Sequence, residues 1–199
     1  MEKQNFMRRL LKDESGITVV EFGIVAPTLI LMMIGMFDFG HQIYATAVLQ
    51  GTLQNSARSA TLENGFDLQD QIDADLESNF QTVIPVGSVD VTRRNFASFT
   101  DIVTPEEFTD TNGDGVCNDG EPFEDVNGNA NWDQDRGRDG LGGARDAVLF
   151  TATATYDRMF PLAGLLGIPE DVTIVATTVL RNQPYNEQGV REPVVENCT

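Results

Sequence analysis

Residues 16–40 read GITVVEFGIVAPTLILMMIGMFDFG, and within this stretch the run Ile17–Phe37 contains a single charged residue, Glu21. A helix rises 1.5 Å per residue, so a run of this length spans about 30 Å, the thickness of the hydrocarbon core of a bilayer. Pro27 lies inside the run and is expected to kink or loosen the helix locally. The stretch therefore predicts a transmembrane helix over residues 17–37.

The flanks of this run indicate its orientation. Residues 1–16 contain four basic residues, and the positive-inside tendency keeps such a segment cytoplasmic. Asp38 and His41 then mark the point where the helix returns to water. We therefore expect residues 63–199 to form an exported domain.

Glu21 requires an explanation, because a carboxylate in hydrocarbon costs about a few kcal/mol even on lenient insertion scales. A cut between Gly16 and Ile17 would give Ile17 a free ammonium about one helical turn from Glu21. Before that cut the same nitrogen is a neutral amide. We therefore predict cleavage after Gly16, with Glu21 pairing with an N-terminal ammonium, most usefully that of a neighbouring subunit.

Two other interpretations of the N-terminus remain open. Residues 45–47 read ATA and fit the A-x-A pattern of a secretory signal peptide, but the polar stretch of residues 38–42 separates that site from an unusually long apolar run. An uncut signal anchor would share the basic flank and the apolar run but would have no use for Glu21. Cleavage after Gly16 accounts for more of the sequence than either.

The stretch from Gly16 to Phe22 resembles a type IV prepilin cleavage site, in which a Gly is followed by four residues, a Glu and an aromatic residue. Residues 16–40 are also similar to the TadE-like family of tight-adherence (Tad/Flp) pili. In that family a Val-Glu-Phe run precedes an apolar segment with Pro, and here these are residues 20–22 and Pro27. The resemblance covers about residues 14–60.

This resemblance implies a pseudopilin, or minor pilin, whose leader over residues 1–16 is removed by a prepilin peptidase. It gives Gly16, Ile17, Glu21 and Phe22 roles in processing and assembly. It further implies a single-pass protein of the bacterial inner membrane with a periplasmic C-terminal domain, which supports pilus assembly and adhesion together with other pilin-like subunits and the pilus assembly machinery. Such a protein could also reach the pilus or the cell surface.

The remaining pattern predicts an α+β fold, with a long N-terminal helix packed on a small antiparallel β-sheet. Apolar residues at helical spacing, Ile43, Ala47, Leu49, Leu53 and Ala57, extend the first helix over residues 17–62. A second helix is expected over residues 66–80. Alternating apolar and polar residues predict strands over residues 83–91, 148–156 and 172–180. We expect the polar tail after Asn182 to be loosely ordered.

Residues 110–121 fit a twelve-residue calcium loop, because every constrained position is filled. Gly115 permits the sharp turn. The predicted ligands are the side chains of Asp110, Asn112, Asp114, Asn118 and Glu121 and the carbonyl of Val116. A second run, residues 125–133, offers a further calcium site through Asp125, Asn127, Asn129 and Asp133. It departs from the pattern at Ala130, where Gly is expected, and at Arg136, where the closing Glu belongs; Asp133, Asp135 or Asp139 could close it instead.

The alternative for this insert, residues 101–146, is a flexible acidic loop. It carries thirteen acids and three arginines, and a loop with so little apolar content is expected to be disordered unless something folds it. Bound Ca²⁺ would offset the carboxylate repulsion and link folding to binding, and millimolar calcium outside the cell would suffice. We expect one Ca²⁺ at the first loop and a second at the other, with a structural role.

Composition narrows the function further. The net charge of −18 argues against nucleic acid as a partner. Cys117 and Cys198 are the only cysteines, and two thiols in an exported domain could form a disulfide. Cys117 also occupies a loop position that usually turns inward, which favours a buried thiol.

The only histidine, His41, lies at the membrane edge and is badly placed for a catalytic triad. We expect no enzymatic activity, and a membrane-anchored calcium-binding adhesin or sensor remains the second hypothesis, ahead of an anchored hydrolase.

Overall fold

The computed structural model describes residues 15–62, 67–160, 164, 167–184 and 192–199, with side chains from residue 19 onward. The predicted leader lies almost entirely outside these residues, as does the side chain of Ile17. The structure shows an α+β arrangement, in which a long N-terminal apolar helix packs on an antiparallel sheet.

Helix α1 spans Ser15–Ala60 and continues through Pro27. Its N-terminal half is apolar and exposed; Val20, Phe22 and Met36, for example, are each more than 60% exposed. Among the described residues this is one helix long and apolar enough to cross a membrane, with a mean hydropathy of 2.1 in its most apolar window and none of that window buried. The helix is therefore compatible with a single-pass membrane protein.

The C-terminal half of α1 packs on the domain. Its buried residues are Ala45, Leu49, Leu53, Ala57 and Ala60, mostly four residues apart. Ile43 and Ala47, which the sequence suggested for this face, are exposed instead. Each lies two residues, or about 200° around the helix, from Ala45, so they point away from the buried row.

Helix α2 spans Gln69–Gln81 and packs against α1. Its buried residues, Ile72, Leu76 and Phe80, follow one another at four-residue spacing, so they form one apolar face. The backbone N–H groups of Thr82, Val83 and Ile84 then bond to carbonyls of the last turn of α2. Residues 82–84 therefore continue the helical turn. The first strand begins at residue 88, and not at residue 83 as the sequence predicted.

Six strands follow. They are β1 (Ser88–Phe96), β2 (Pro122–Asp125), β3 (Arg138–Asp139), β4 (Ala147–Asp157), β5 (Asp171–Arg181) and β6 (Val194–Asn197). Strands β3, β1, β4 and β5 form one antiparallel sheet in that order, and β2 pairs with β6 in a second, two-stranded sheet. Alternate residues of β4 and β5 are buried and form one core with the two helices.

Three contacts fix the direction of α1 along the main sheet. Asp38 forms an ion pair with Arg158, just after β4. His41 packs edge-on against Tyr156, with 5.6 Å between ring centroids. Further along the helix, the Gln50 amide donates to the carbonyl of Thr177 in β5 at 3.0 Å. The described ends of the connection from β4 to β5 therefore lie beside residues 38–41, and the insert between β1 and β4 lies at the opposite end of the sheet.

The C-terminal tail is more ordered than the sequence suggested. Residues 185–191 lie outside the described part, but β6 pairs along its length with β2 of the insert. The Cys198 N–H also donates to the Glu121 carbonyl at 2.8 Å, and Cys117 and Cys198 form a disulfide. These bonds compensate for the entropy lost when a polar tail is ordered.

Candidate functional site

The first candidate site is loop I, defined as residues 110–121. Its first residue, Asp110, accepts hydrogen bonds from the backbone N–H groups of Gly113, Asp114 and Gly115 at 2.6–3.2 Å. Gly113 and Gly115 have φ near +80°, a conformation that costs other residues energy. The glycines thus allow the chain to wrap around the Asp110 carboxylate.

Asn112 and Asp114, the third and fifth residues of loop I, also accept hydrogen bonds from backbone N–H groups of the loop. The Asn112 side-chain oxygen accepts from the Asp114 N–H at 2.9 Å, and the Asp114 carboxylate accepts from the Val116 N–H at 2.8 Å. Asn and Asp favour such turns because their side chains reach the backbone two residues on. The oxygens at positions one, three and five therefore lie on the inside of one turn.

Glu121 closes loop I from its far end and is only 2% exposed. One of its carboxylate oxygens accepts from the backbone N–H and hydroxyl of Thr111, at 2.7 and 2.9 Å, and from the Asn112 N–H at 3.2 Å. The other faces the Asn118 N–H at 3.5 Å. The carboxylate thus joins the beginning, the middle and the end of the loop.

Hydrogen bonding keeps two carboxylates of loop I ionised. The Asn118 amide and the Val116 N–H lower the pKa of Asp114, outweighing the effect of burial. Burial alone would raise the pKa of Glu121, but the hydrogen bonds from Thr111, Asn112 and Asn118 lower it overall. Ionised carboxylates are the form that a divalent cation requires.

The side chains predicted to bind calcium in loop I are brought together. The Asn112 amide nitrogen lies 3.1 Å from the Asp114 carboxylate and 3.2 Å from the Asn118 oxygen, and the Asn118 amide nitrogen lies 2.9 Å from the same carboxylate. Rotating an amide exchanges its nitrogen and oxygen, so these residues can turn oxygens toward a cation. The Val116 side chain is exposed.

The second candidate site is loop II, defined as residues 125–133. Asp125 is 4% exposed and accepts from the N–H groups of Gly128, Asn129 and Ala130 at 2.6–3.3 Å, as Asp110 does in loop I. Ala130 takes the expected glycine position with φ +60°, so the turn forms despite the departure in sequence. The amides of Asn127 and Asn129 both donate to the Asp133 carboxylate at 2.7 Å.

Sequence reasoning missed the residue that closes loop II, which is Glu106. It is 2% exposed, and its carboxylate accepts from the backbone N–H groups of Val126 and Asn127 at 2.8 and 3.3 Å, and from that of Asp133 at 3.1 Å. Glu106 precedes the loop by nineteen residues, whereas the pattern places the closing acid after it. Because Glu106 lies before the run, the twelve-residue pattern carries no signal for it.

Two of the three acids suggested to close loop II, Asp135 and Asp139, have other positions in the fold. Asp135 pairs with Arg94 at 2.7 Å, and Asp139 lies in β3, opposite Arg94. Arg136, at the expected position of the closing acid, donates to the Pro105 carbonyl instead. Arg136 therefore helps hold the segment that carries Glu106, and this accounts for an arginine at that position.

The sole tryptophan, Trp132, helps hold Glu106 in contact with loop II. The Trp132 indole N–H donates to the Glu106 carbonyl at 2.8 Å, and its ring packs edge-on against Phe108, with 5.6 Å between centroids. The Glu106 N–H donates to the Asp133 carbonyl at 3.0 Å. Glu106 is therefore fixed to loop II through both its backbone and its side chain.

Within the described residues, no group of three or more His, Cys, Asp or Glu side chains is arranged to hold a metal ion as it stands. Each loop combines Asp with Asn at its candidate ligand positions, so amide and main-chain oxygens would have to supply part of any coordination shell. The chemistry of the donors, all oxygens, fits a hard cation such as Ca²⁺.

Within the predicted processing and assembly set, side chains are described for Glu21 and Phe22. Both lie on the exposed surface of α1, and Phe22 is 68% exposed. Residues 16–58 match the TadE-like protein family. No curated protein matches the chain, and neither does any solved structure. The matched residues are almost all of α1, so the N-terminal helix of this chain is similar to that of the TadE-like proteins, and this likeness relates the protein to Tad pili.

Proposed function

We propose that this protein is a pilin-like component, a pseudopilin or minor pilin, of a Tad/Flp pilus assembly system. A prepilin peptidase cuts it after Gly16, α1 holds it in the inner membrane, and the remaining domain lies in the periplasm. It works with other pilin-like subunits and the assembly machinery, and it has no enzymatic activity. The observation that carries the proposal is the TadE-like match over residues 16–58, a range that includes the exposed apolar N-terminal half of α1.

The surface of α1 supports an assembly role. The helix leaves a continuous apolar surface unpartnered, and Glu21 is an exposed acid within it. In a bundle of similar helices, Glu21 would need a cation to offset the cost of leaving water. The ammonium of Ile17 on a neighbouring processed subunit supplies that charge, and Phe22 lies beside it for apolar contact.

The mature N-terminus tests this function. In cells that carry the prepilin peptidase, N-terminal sequencing should find Ile17 as the first residue, and Gly16→Val should leave the leader attached. Gly23→Val is the matched control, because a side chain there meets nothing within 4 Å, and it should be processed normally. A mature chain that begins at Met1 or Val48 would instead favour an uncut anchor or a signal peptide.

A second experiment addresses the Glu21 charge. Glu21→Gln should abolish assembly and adhesion, while Glu21→Asp, which keeps the carboxylate, should retain part of both. Pilus yield and surface adhesion are measured after immunoblotting has shown equal amounts of processed protein. Full assembly by Glu21→Gln would contradict the pairing of Glu21 with an N-terminal ammonium.

We further propose that loops I and II each bind a structural Ca²⁺. In loop I the ligands are the side chains of Asp110, Asn112, Asp114, Asn118 and Glu121 and the carbonyl of Val116. In loop II they are Asp125, Asn127, Asn129 and Asp133, with Glu106 as the closing acid. The support is the equivalent backbone wrapping of Asp110 and Asp125 and the concentration of acids in an insert of modest apolar content. Bound cations would offset the repulsion between these carboxylates and so stabilise the fold.

Chelation tests the calcium proposal directly. Adding EGTA to the purified full chain should lower its melting temperature, and excess Ca²⁺ should restore it. Because Trp132 is the only tryptophan and lies in loop II, its fluorescence should report binding there. Mg²⁺ at equal concentration is the control and should restore less, because it tolerates irregular oxygen shells poorly. No change with EGTA would contradict bound calcium.

The second candidate function is a membrane-anchored calcium-binding adhesin or sensor that never enters a pilus. It is favoured by the extent of the family match, which stops at residue 58 and leaves the insert outside it. The two functions share the calcium loops but differ at the N-terminus, so the sequencing experiment separates them.

A further inference from the structure

We propose that Met159 and Ile168, at the two described ends of the connection between β4 and β5, lie on the same bilayer surface that α1 enters and give the domain a second contact with lipid. The contact surface consists of Met159 and Ile168 on this connection, next to the exposed apolar residues of α1. This inference rests on the membrane anchoring proposed above, and it adds a contact that the anchor alone does not require.

The position of the connection is set by Asp38. This residue ends the apolar run of α1, and its carboxylate pairs with Arg158, the first residue after β4. The Arg158 side chain also donates to the Pro169 carbonyl at 3.0 Å, and its backbone N–H donates to the Glu170 carbonyl at 2.9 Å. Arg158 thus holds both ends of the connection at the depth where α1 leaves the membrane.

The described ends of the connection are apolar and exposed. Met159 is 61% exposed and Ile168 is 42% exposed. Residues 159–168 read MFPLAGLLGI, with no charged side chain, in a chain whose net charge is −18. On α1, Phe37 and Phe39 are each more than 60% exposed at the same level. Several large apolar side chains exposed at one end of a domain usually mark a site of contact.

Lipid is the occupant that this geometry fits. The bilayer already surrounds residues up to Phe37, so it reaches the connection without any further protein. Arg158 and Asp38 neutralise each other and are each about 80% buried, so they add little cost at the headgroup level. Asp157, Glu170 and Asp171 border the connection and are exposed, so their charge limits how deeply it enters.

Site-specific fluorescence tests the contact in the full chain. Met159→Cys and Ile168→Cys are labelled with an environment-sensitive dye while Cys117 and Cys198 remain joined. The protein is placed in vesicles of phosphatidylethanolamine and phosphatidylglycerol. Phe99→Cys is the matched control, since Phe99 is 52% exposed and lies near the other end of the sheet. Both connection labels should show blue-shifted emission, quenching by spin-labelled lipid, and several-fold less quenching by iodide than the control.

Three outcomes would be informative. If the labels at residues 159 and 168 behave like the label at residue 99, the connection stands away from lipid and the proposal is wrong. If their shift disappears in nanodiscs that hold one chain each, a second copy covers the surface and lipid does not. A label at Met32→Cys monitors the anchor separately; if it is not quenched by lipid, the membrane anchoring of α1 fails instead of the loop contact.

Discussion

Glu106 and Glu121 make equivalent contacts to the two loops, although Glu121 is the last residue of loop I and Glu106 precedes loop II in sequence. Glu121 receives the backbone N–H groups of the second, third and ninth residues of loop I, at 2.7, 3.2 and 3.5 Å. Glu106 receives those of the second, third and ninth residues of loop II, at 2.8, 3.3 and 3.1 Å. The chain therefore supplies one closing carboxylate from the last position of its loop and the other from a residue that precedes its loop.

This equivalence predicts the effect of changing Glu106. Glu106→Gln should lower the number of bound Ca²⁺ ions by one, because loop II loses its closing charge while loop I keeps Glu121. It should also destabilise the fold by about 1–3 kcal/mol, since buried N–H groups lose their carboxylate acceptor. Calorimetric titration and thermal unfolding of the full chain measure these two effects.

Glu107→Gln is the matched control for Glu106, because it removes the adjacent acid from a side chain that is 76% exposed. It should leave both the calcium stoichiometry and the melting temperature essentially unchanged. Equal effects of the two substitutions would show that general acidity, and not the closing position, is what matters.

The disulfide predicts a large contribution to stability. Cys117 and Cys198 are 81 residues apart, and closing a loop of that size stabilises a fold by about 2–5 kcal/mol. The double change Cys117→Ser with Cys198→Ser should lower the melting temperature and expose β6 to proteases. Urea unfolding and limited proteolysis with C-terminal mapping test this. An unchanged proteolysis pattern would mean that β6 is held by its pairing with β2 alone.

Packing of α1 on the sheet predicts a difference between its two halves. Leu53→Ala should cost about 2–5 kcal/mol of unfolding free energy, because Leu53 is fully buried in the core. Leu31→Ala makes the same change in the same helix where the side chain is 40% exposed, and it should not affect unfolding of the domain. Denaturation in detergent, followed by circular dichroism, compares them. A similar loss from both would mean that the two halves of α1 unfold together.

The lowered pKa values of Asp114 and Glu121 predict acid sensitivity of loop I. A carboxyl with a lower pKa in the folded state stabilises the fold fully above its unfolded pKa, near 3.8 for Asp114 and 4.5 for Glu121. That contribution is lost as pH falls through the folded values. In EGTA, the melting temperature should decrease as the pH is lowered below about 4.5.

Asp114→Asn combined with Glu121→Gln provides the control for this acid sensitivity. The double variant should be less stable at neutral pH, and its melting temperature should decline less steeply in acid. An unchanged slope would place the acid-sensitive groups elsewhere in the domain.

The predictability of the fold differs between its elements. The period-two pattern located β4 and β5 to within one residue at each end, because both strands bury one face and expose the other. The buried row of α1 was predicted in part: Leu49, Leu53 and Ala57 are buried as expected. Ile43 and Ala47 are exposed, because a helix that is apolar on several sides does not reveal which side meets the sheet. The strand β6 could not be inferred, because its partner β2 is distant in the chain and backbone pairing leaves no trace in composition.

The sequence by itself determined the length and apolar character of α1, the single acid within its apolar run over residues 17–37, and the spacing of oxygen-bearing residues in loop I. These are local properties, set by residue type and by distances of a few positions along the chain. The tertiary structure alone decided that Glu106 closes loop II, that Asp38 meets Arg158 and that Cys117 meets Cys198. Those pairs are brought together by the packing of the sheet, the insert and the tail, and contacts between distant positions depend on the whole fold.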